Sequence, residues 1–400
     1  MAALPQSHHA LALVSFDAPL QVQAVETPRC IPGSAVVEIL STPILSYAQK
    51  LYSGDLKYPL HPPMTVGGGA IARVVSLGSD ATHLKKGQLV FVDPMVRGRD
   101  DSSGKNSILL GVHGGLTSGA ALLMQGDWRH GSCAQYARWP LENVHVLDEE
   151  TLTTPTSTST SSLGLGLGSG LGSGLGYSFH ELAYIQRLLV PMGGLCESVL
   201  DVKVGDRVLV APATGQFGGA AVEVALAMGA DVVICGRNRT ALTKMRDTLE
   251  PVYPGAKIDV VQFSGVVETD VAALQAVGDR GRPIDKYIDF SPAIAAGSTH
   301  ITSCLRALKR GGKACLMGGI TAGVEIPYSV VMFNDLQICG KFMYERDAVK
   351  RLISLVESGR LKFRVPEIKV FGLKEWEKGF ETAAQRSGWR EMVVFEPGRE

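Results

Sequence analysis

The first 150 residues consist of short apolar runs separated by Gly, Pro and Lys-Gly turns. The runs are SAVVEIL, AIARVVSLG and GQLVFVD, and GSCAQYARWPLENVHVLD adds two short strands around Trp139 and Pro140. Val- and Ile-rich runs between such turn residues are typical of β-strands. Their spacing predicts a small, irregular barrel or sandwich rather than a series of βαβ units.

From about residue 180 helical and strand patterns alternate. FHELAYIQRLLV has a helical pattern that we expect to stop at Pro191. Strands are predicted in DRVLVAPA, DVVICG, KIDVVQF, KYIDF and GKACLMG, with helices in GAAVEVALAMGA and STHITSCLRALKRGG. A long helix in RDAVKRLISLVESGRL precedes a final strand, helix and strand. The alternation predicts an α/β fold with a doubly wound parallel sheet covered by helices.

Between these two parts, residues 151–176 form a low-complexity insertion rich in Ser, Thr and Gly. Leu is nearly its only apolar residue, so it offers little surface to bury against the entropy of ordering. We interpret it as a surface insertion. A lid over a pocket is the alternative.

A glycine-rich loop follows the first strand of the α/β part. Ala213-x-Gly215-x-x-Gly218 is a form of the dinucleotide-binding fingerprint, placed between a buried strand and an amphipathic helix. Gly215 would let the backbone approach a pyrophosphate, and Gly218 would let the helix pack on the strand. Pro212 and the missing first glycine indicate a slightly different turn. The predicted loop contacts are Ala213, Thr214, Gly215, Gln216, Phe217 and Gly218.

The end of the second strand selects the nucleotide. An acidic residue there would bind a ribose 2′-hydroxyl, but this chain has Gly236, Arg237, Asn238 and Arg239. Two guanidinium groups favour a 2′-phosphate by charge and bidentate geometry, so we predict NADPH over NADH. The alternative is that the arginines only begin a solvated helix.

Further contacts with the cofactor are expected where later strands end. Ser291 follows the KYIDF strand, and Gly318 and Gly319 follow the GKACLMG strand. In an open parallel sheet, ligands bind beside the carboxyl ends of the strands. We therefore predict that these residues contact the nicotinamide or its ribose.

Composition narrows the classes of partner. Hydrophobic residues make up 45% and charged residues 20%, and Lys+Arg equal Asp+Glu at 39 each. This balance predicts no nucleic-acid and no membrane partner. The 7 cysteines form no CxxC pair and the N-terminus resembles no signal peptide, so we expect reduced thiols and a cytoplasmic location.

These motifs resemble the medium-chain dehydrogenase/reductase superfamily over nearly the whole chain. LKKGQLVFVDP, GSCAQYARWPLENVHVLD, PMGGLCESVL and LKRGGKACLMGG match its strands and the helix that enters its nucleotide domain. The resemblance implies a GroES-like catalytic domain, residues 1–190 and 341–400, around a Rossmann domain, residues 191–340. It also suggests a homodimer through the edge of the Rossmann sheet.

The resemblance also implies that the family's catalytic zinc is missing. Zinc-dependent members carry Gly-His-Glu where this chain has Gly67, Gly68 and Gly69, and Leu45 replaces the ligating cysteine. Glycine and leucine cannot bind zinc. Residues 95–130 lack the cysteines of the structural zinc lobe. His130-x-x-Cys133 is interpreted as a non-ligating pair.

Without zinc, hydrogen-bond donors must stabilise the charge that develops during hydride transfer. Tyr47 lies where the resemblance places the family's proton-relay residue, and a phenol can donate and relay. A tyrosine packed in the domain interface is the alternative. Ser46, Lys50 and Tyr52 are other candidates, as is the cofactor's own ribose hydroxyl. His113 is a pocket or turn residue.

These observations favour a zinc-independent NADPH-dependent oxidoreductase. Its electrophile would be a small molecule that is already activated, such as an enone, a quinone or an imine. Two alternatives remain open: an NADPH-dependent ketone or aldehyde reductase, and an NADPH-binding protein without turnover.

Overall fold

The fold is known from a computed structural model, which describes residues 4–154, 174–196, 198–277 and 282–399. The chain divides into two compact units. Unit 1 contains both chain ends and comprises Met1–Gln186, Val365–Ser387 and Glu391–Glu400. Unit 2 contains the middle of the chain and comprises Arg187–Arg364 and Gly388–Arg390.

The N-terminal part of the chain is mostly β. Its strands are β1 (Ser7–Leu13), β2 (Gln21–Glu26), β3 (Ser34–Pro43), β4 (Met64–Thr65), β5 (Ala70–Leu77), β6 (Leu89–Val92), β7 (Met95–Arg97), β8 (Ser107–Leu109), β9 (Tyr136–Pro140) and β10 (Val144–Val146). Its helices are α1 (Ala48–Tyr52), α2 (Ser118–Gln125), α3 (Glu149–Thr153) and α4 (Phe179–Leu182).

The remainder begins with a helix and then alternates strand and helix. In chain order the elements are α5 (Ile185–Leu195), β11 (Arg207–Ala211), α6 (Gln216–Ala227), β12 (Asp231–Gly236), α7 (Arg239–Leu249), β13 (Ile258–Gln262), α8 (Val267–Ala276), β14 (Ile284–Asp289), α9 (His300–Ala307), β15 (Leu308–Leu316), α10 (Tyr328–Phe333), β16 (Gln337–Gly340), α11 (Arg346–Glu357), β17 (Glu367–Phe371), α12 (Trp376–Gln385) and β18 (Glu391–Phe395).

Unit 1 is built on a seven-stranded sheet in the order β10-β6-β5-β3-β18-β17, with β9 paired to β3. Strand β3 is central because it pairs antiparallel with β5, β9 and β18. A three-stranded sheet, β2-β1-β4, and the β7-β8 hairpin complete the unit. Trp139 is fully buried in its core, and its indole Nε1 donates to the carbonyl of Asp93 at 2.8 Å. Short antiparallel strands around a buried core match the expected irregular barrel.

Unit 2 contains a six-stranded parallel sheet in the order β13-β12-β11-β14-β15-β16. Strand β11 is buried at all five positions. Helices α6, α7, α8 and α9 contact these strands. The alternation of strand and helix therefore folds as predicted. None of the described helices is long and apolar enough to cross a bilayer.

Two expectations about element and domain limits are wrong. Helix α5 continues through Pro191 to Leu195. Proline costs the helix one backbone hydrogen bond, but the neighbouring Leu188, Leu189 and Met192 are fully or almost fully buried and hold the helix in place.

The extent of unit 2 also differs from the expected residues 191–340. Unit 2 runs to Arg364, not to residue 340, so α11 belongs with the parallel sheet. The Tyr253 hydroxyl is bonded to the backbone of Lys362 at 3.3 Å, and Tyr344 packs on the backbone of Gly193. These contacts within unit 2 extend it beyond β16. The first boundary lies at 186/187 instead of the expected 190/191.

Candidate functional site

The glycine-rich loop between β11 and α6 has the geometry of a dinucleotide loop. A side chain at Gly218 would place its Cβ 2.0 Å from the carbonyl oxygen of Pro212, so only glycine allows the helix to pack this closely. A Cβ at Gly215 would meet no atom within 4 Å. Gly215 precedes α6, whose N-terminal amides attract an anion. The loop is thus closed toward the strand and open where a pyrophosphate would bind.

The end of β12 presents two arginines to solvent. Gly236 is the buried last residue of the strand, whereas Arg237 and Arg239 are exposed. Asn238 caps α7, because its Oδ1 accepts a hydrogen bond from the Ala241 amide at 3.1 Å. Within the part of the chain that the structure describes, neither guanidinium has an acidic partner. Both remain available to an anionic ligand.

A buried hydrogen-bond network lies at the end of β14. The Ser291 hydroxyl donates to Asp289 Oδ1 at 2.5 Å and lies 2.7 Å from His300 Nε2. Since the hydroxyl has one hydrogen, it accepts from the imidazole N–H. The Tyr287 hydroxyl donates to the same carboxylate oxygen at 3.1 Å, and the Ser298 hydroxyl lies 2.8 Å from His300 Nδ1. The network joins the end of β14 to the start of α9.

This network changes the interpretation of Ser291. Its side chain is 1% exposed and its hydroxyl is already shared between Asp289 and His300. The predicted direct contact with the cofactor is therefore not supported for this hydroxyl. The Ser291 carbonyl instead accepts from the Gly319 amide at 2.8 Å, while Gly318 and Gly319 are exposed. Ser291 holds the glycine pair in place.

The parallel sheet brings the predicted nucleotide residues together. Strands β11, β12, β14 and β15 run in one direction, so their carboxyl ends lie along the same edge of the sheet. The ends of these strands, the loops that follow and the first residues of the next helices contain the predicted contacts: Ala213 to Gly218, Gly236 to Arg239, Ser291, and Gly318 with Gly319. The cofactor loop and the later glycine pair thus belong to one surface of unit 2.

In unit 1, the three consecutive glycines are tightly packed. A Cβ at Gly68 would lie 2.8 Å from Gln186 Nε2, and one at Gly69 would lie 2.8 Å from the Val92 carbonyl oxygen. Gly67 has a φ of 97°, and its carbonyl oxygen would lie 1.9 Å from a Cβ at Gly111 or Gly131. The Gln186 carboxamide therefore occupies the space next to Gly68.

The three candidate proton donors differ in their surroundings. Tyr47 is half-buried and immediately precedes α1. Lys50 is exposed, so its ammonium stays in water and the predicted catalytic role loses its basis. The Tyr52 hydroxyl accepts from the Gly67 amide and donates to the Gly111 carbonyl, each at 3.0 Å, and burial raises its pKa. These contacts favour a structural role for Tyr52 over the predicted catalytic one.

The two histidines that the sequence singled out, His113 and His130, have local partners. His113 Nδ1 accepts from the Gly115 amide at 3.0 Å, its ring packs on Tyr58, and burial lowers its pKa. The Thr65 amide donates to His130 Nδ1 at 3.2 Å, and burial raises the pKa of Cys133 to about 12. No group of three or more His, Cys, Asp or Glu among the described residues could hold a metal ion.

Several residues of these sites were not found from the sequence. Asp289 lies beside Gly318 and shares the Ser291 hydroxyl with His300, and Gln186 fills the space beside Gly68. Trp389 packs on the first turn of α6 and donates to Glu223 of the same helix. Only one feature of the sequence points to Trp389: a further glycine, Gly219, directly follows the last glycine of the fingerprint. Gly219 is needed because a Cβ there would lie 2.3 Å from the indole Cδ1.

Comparisons with known proteins agree with this architecture. Residues 31–149 match the alcohol dehydrogenase GroES-like domain. Solved structures resemble the chain over nearly its full length. AibC is 17% identical with a TM-score of 0.74, and the match covers 98% of this chain and 97% of that one. A crotonyl-CoA carboxylase/reductase is 15% identical with a TM-score of 0.73, and the match covers 98% of this chain and 89% of that one. A protein from Sinorhizobium meliloti 1021 assigned as a zinc-binding dehydrogenase and solved bound to NADP is 18% identical with a TM-score of 0.70, and the match covers 98% of this chain and 100% of that one.

The GroES-like domain and the parallel nucleotide-binding sheet define a two-unit dehydrogenase fold. The chain therefore has the fold of medium-chain dehydrogenases and reductases, the architecture that its motifs predicted. The fold class, a GroES-like unit with a Rossmann unit, is likewise confirmed.

The network at Ser291 predicts a stability difference between two serines. Ser291→Ala leaves Asp289 and His300 without their shared partner, so we expect a loss of about 1–3 kcal/mol in the free energy of unfolding. Ser298→Ala, at an exposed position of the same network, should cost less than about 0.5 kcal/mol. Urea unfolding followed by circular dichroism measures both. Equal effects would show that the buried hydroxyl has no special role.

Proposed function

We propose that this protein is a zinc-independent, NADPH-dependent oxidoreductase that reduces a small, already activated electrophile. The class comprises conjugated double bonds, quinones and imine-like groups. Such acceptors need less polarisation than a simple ketone, which suits a site without a Lewis acid.

The observation that carries the proposal is the arrangement around Gly68. This is where the family's zinc enzymes have a ligating histidine, and Leu45 stands where they have a cysteine. A histidine at position 68 would also meet the Gln186 carboxamide, since even a Cβ there lies 2.8 Å from Nε2. The residue types argue against a catalytic zinc at this place, and a histidine at position 68 would in addition require the Gln186 side chain to move.

The nucleotide surface of unit 2 fits NADPH. Gly215 leaves room for a pyrophosphate beside the N-terminus of α6, and exposed Arg237 and Arg239 would face a 2′-phosphate. The Gly318-Gly319 pair would contact the nicotinamide end. Similar structures include one bound to NADP and one that is NAD-dependent, which supports a nicotinamide dinucleotide and leaves the choice of NADPH to the two arginines. When bound, NADPH would supply the hydride.

Tyr47 is the best remaining candidate for the proton. Lys50 is solvated and the Tyr52 hydroxyl is bonded to backbone on both sides. A half-buried phenol can donate a hydrogen bond to the developing negative charge on the substrate and then release its proton.

The direct test of this function is NADPH oxidation against enones, quinones, cyclic imines and aldehydes, with EDTA present and NADH in parallel. We expect turnover of one activated class that EDTA does not reduce. Product analysis separates the alternatives, because a saturated ketone from an enone indicates C=C reduction and an allylic alcohol indicates C=O reduction. Loss of activity with EDTA and its recovery with zinc would overturn the metal-free assignment. Tight NADPH binding without any turnover would favour the alternative in which the protein binds NADPH but catalyses no reaction.

Cofactor choice can be tested at the end of β12. Changing Arg237 and Arg239 to Ala removes two charge-assisted contacts with the 2′-phosphate, so the NADPH/NADH preference should fall about tenfold or more. The preference is measured as the ratio of kcat/KM values. Lys244→Ala with Arg246→Ala removes the same amount of charge from later turns of α7 and should leave the ratio unchanged. If the two double variants behave alike, the arginines do not read the phosphate.

The proton donor can be tested with paired tyrosine variants. Tyr47→Phe should lower kcat about 10²-fold while NADPH affinity is kept, because only the donated proton is lost. Tyr52→Phe should instead lower the melting temperature, because it removes a bridge between the Gly67 and Gly111 backbones. A decrease of less than about tenfold for Tyr47→Phe would assign the proton to solvent or to the cofactor ribose.

A further inference from the structure

A short segment near the C-terminus, Gly388–Arg390, lies against the cofactor loop of unit 2. The Trp389 amide donates to the Thr214 carbonyl at 3.0 Å, and Gly388 and Gly215 form an antiparallel bridge. Backbone hydrogen bonds therefore join this segment to the two residues that directly precede α6. The segment is far from the loop in sequence but belongs to the same unit.

The Trp389 side chain covers the first turn of α6. Its ring lies so close to Gly219 that a Cβ there would be 2.3 Å from Cδ1 and 2.5 Å from Cγ. The indole Nε1 donates to Glu223 Oε2 at 3.0 Å, one helical turn further along. The side chain thus contacts the helix at two levels, through its carbon atoms and through its N–H.

Glu223 holds the segment with its other carboxylate oxygen. Glu223 is fully buried, and its Oε1 accepts from Arg390 Nε at 2.9 Å and from Arg390 Nη2 at 2.5 Å. Arg390 also stacks on the Trp389 ring, with its guanidinium carbon 4.6 Å from the ring centroid. Its φ of 57° is unfavourable for a non-glycine residue. The buried ion pair and the stacking hold the segment in this strained conformation.

We propose that Glu223, Gly388, Trp389 and Arg390 form a clamp that holds the Ala213–Gly218 loop in its binding conformation before the cofactor arrives. The residues act as positioning residues, because they order the backbone that receives the pyrophosphate. Ordering the loop in advance reduces the entropy lost on binding, and so strengthens it. The inference rests on the proposed use of a nicotinamide dinucleotide, but not on the choice between NADPH and NADH.

The clamp predicts a characteristic pattern of binding. The pyrophosphate is common to both nucleotides. A loosened loop should therefore reduce the binding affinities for NADPH and for NADH by the same factor. Loss of the 2′-phosphate contacts, in contrast, would reduce the binding affinity for NADPH alone. The kcat at saturating NADPH should stay within about twofold, since the clamp residues order the loop and do not react.

The experiment compares full-length wild type with Trp389→Ala, Trp389→Phe and Gly219→Ala. Dissociation constants for NADPH and NADH are measured by calorimetry, and hydrogen exchange is followed in peptides that cover the loop. We expect Trp389→Ala to raise both dissociation constants about tenfold and to speed exchange in the loop. Gly219→Ala should act in the same direction by displacing the indole. Trp389→Phe keeps a ring on Gly219 but loses the bond to Glu223, so its effect should be intermediate.

Trp376→Ala is the matched control, because Trp376 has the same intermediate exposure and packs on Phe380 in unit 1. It should leave both dissociation constants and exchange in the loop unchanged. Wild-type affinity in Trp389→Ala and Gly219→Ala would overturn the clamp and leave the proposed function intact. A selective loss of NADPH affinity would also overturn it. A wild-type protein that binds neither nucleotide would overturn the proposed function and the clamp's role with it.

Discussion

Parallel hydrogen bonding among six strands is the constraint on which the cofactor site depends. Because the strands share one direction, the residues after Ala211, Gly236, Asp289 and Leu316 reach the same edge of the sheet. The edge becomes a binding surface only if α6 approaches β11 closely, and Gly218 permits this by packing its Cα on the Pro212 carbonyl. The buried network around Asp289 then secures the neighbouring loop through the Ser291 carbonyl and the Gly319 amide.

In unit 1, loops are held together by the close approach of glycine backbones. Gly111 and Gly131 both pack on the carbonyl of Gly67, and the Tyr52 hydroxyl joins Gly67 to Gly111. This packing explains why Tyr52, which lies only five residues from Tyr47, has a different role. One tyrosine connects the loops of the unit, and the other remains as a candidate for chemistry.

Much of the fold was predictable because its signals are local. The runs of apolar residues, the fingerprint at Gly215 and Gly218, and the missing acid after Gly236 each depend on neighbouring positions. The Ser291 network was not predictable, since it depends on a histidine that a loop brings back to the strand. Trp389 and Glu223 are 166 positions apart, and no periodicity relates them. The continuation of α5 through Pro191 was missed because burial outweighed a local propensity. Residues 155–173 of the low-complexity insertion lie outside the described residues, so its interpretation stays a prediction.

The carboxamide of Gln186 beside Gly68 has a consequence for protein redesign. A single histidine substitution would meet an occupied space and would still lack a second ligand at Leu45. Building a metal centre therefore demands new ligands at positions 45 and 68 together with a different placement of the Gln186 side chain. Neither a histidine at position 68 nor a cysteine at position 45 would supply a zinc site alone, so one substitution cannot build a metal centre here.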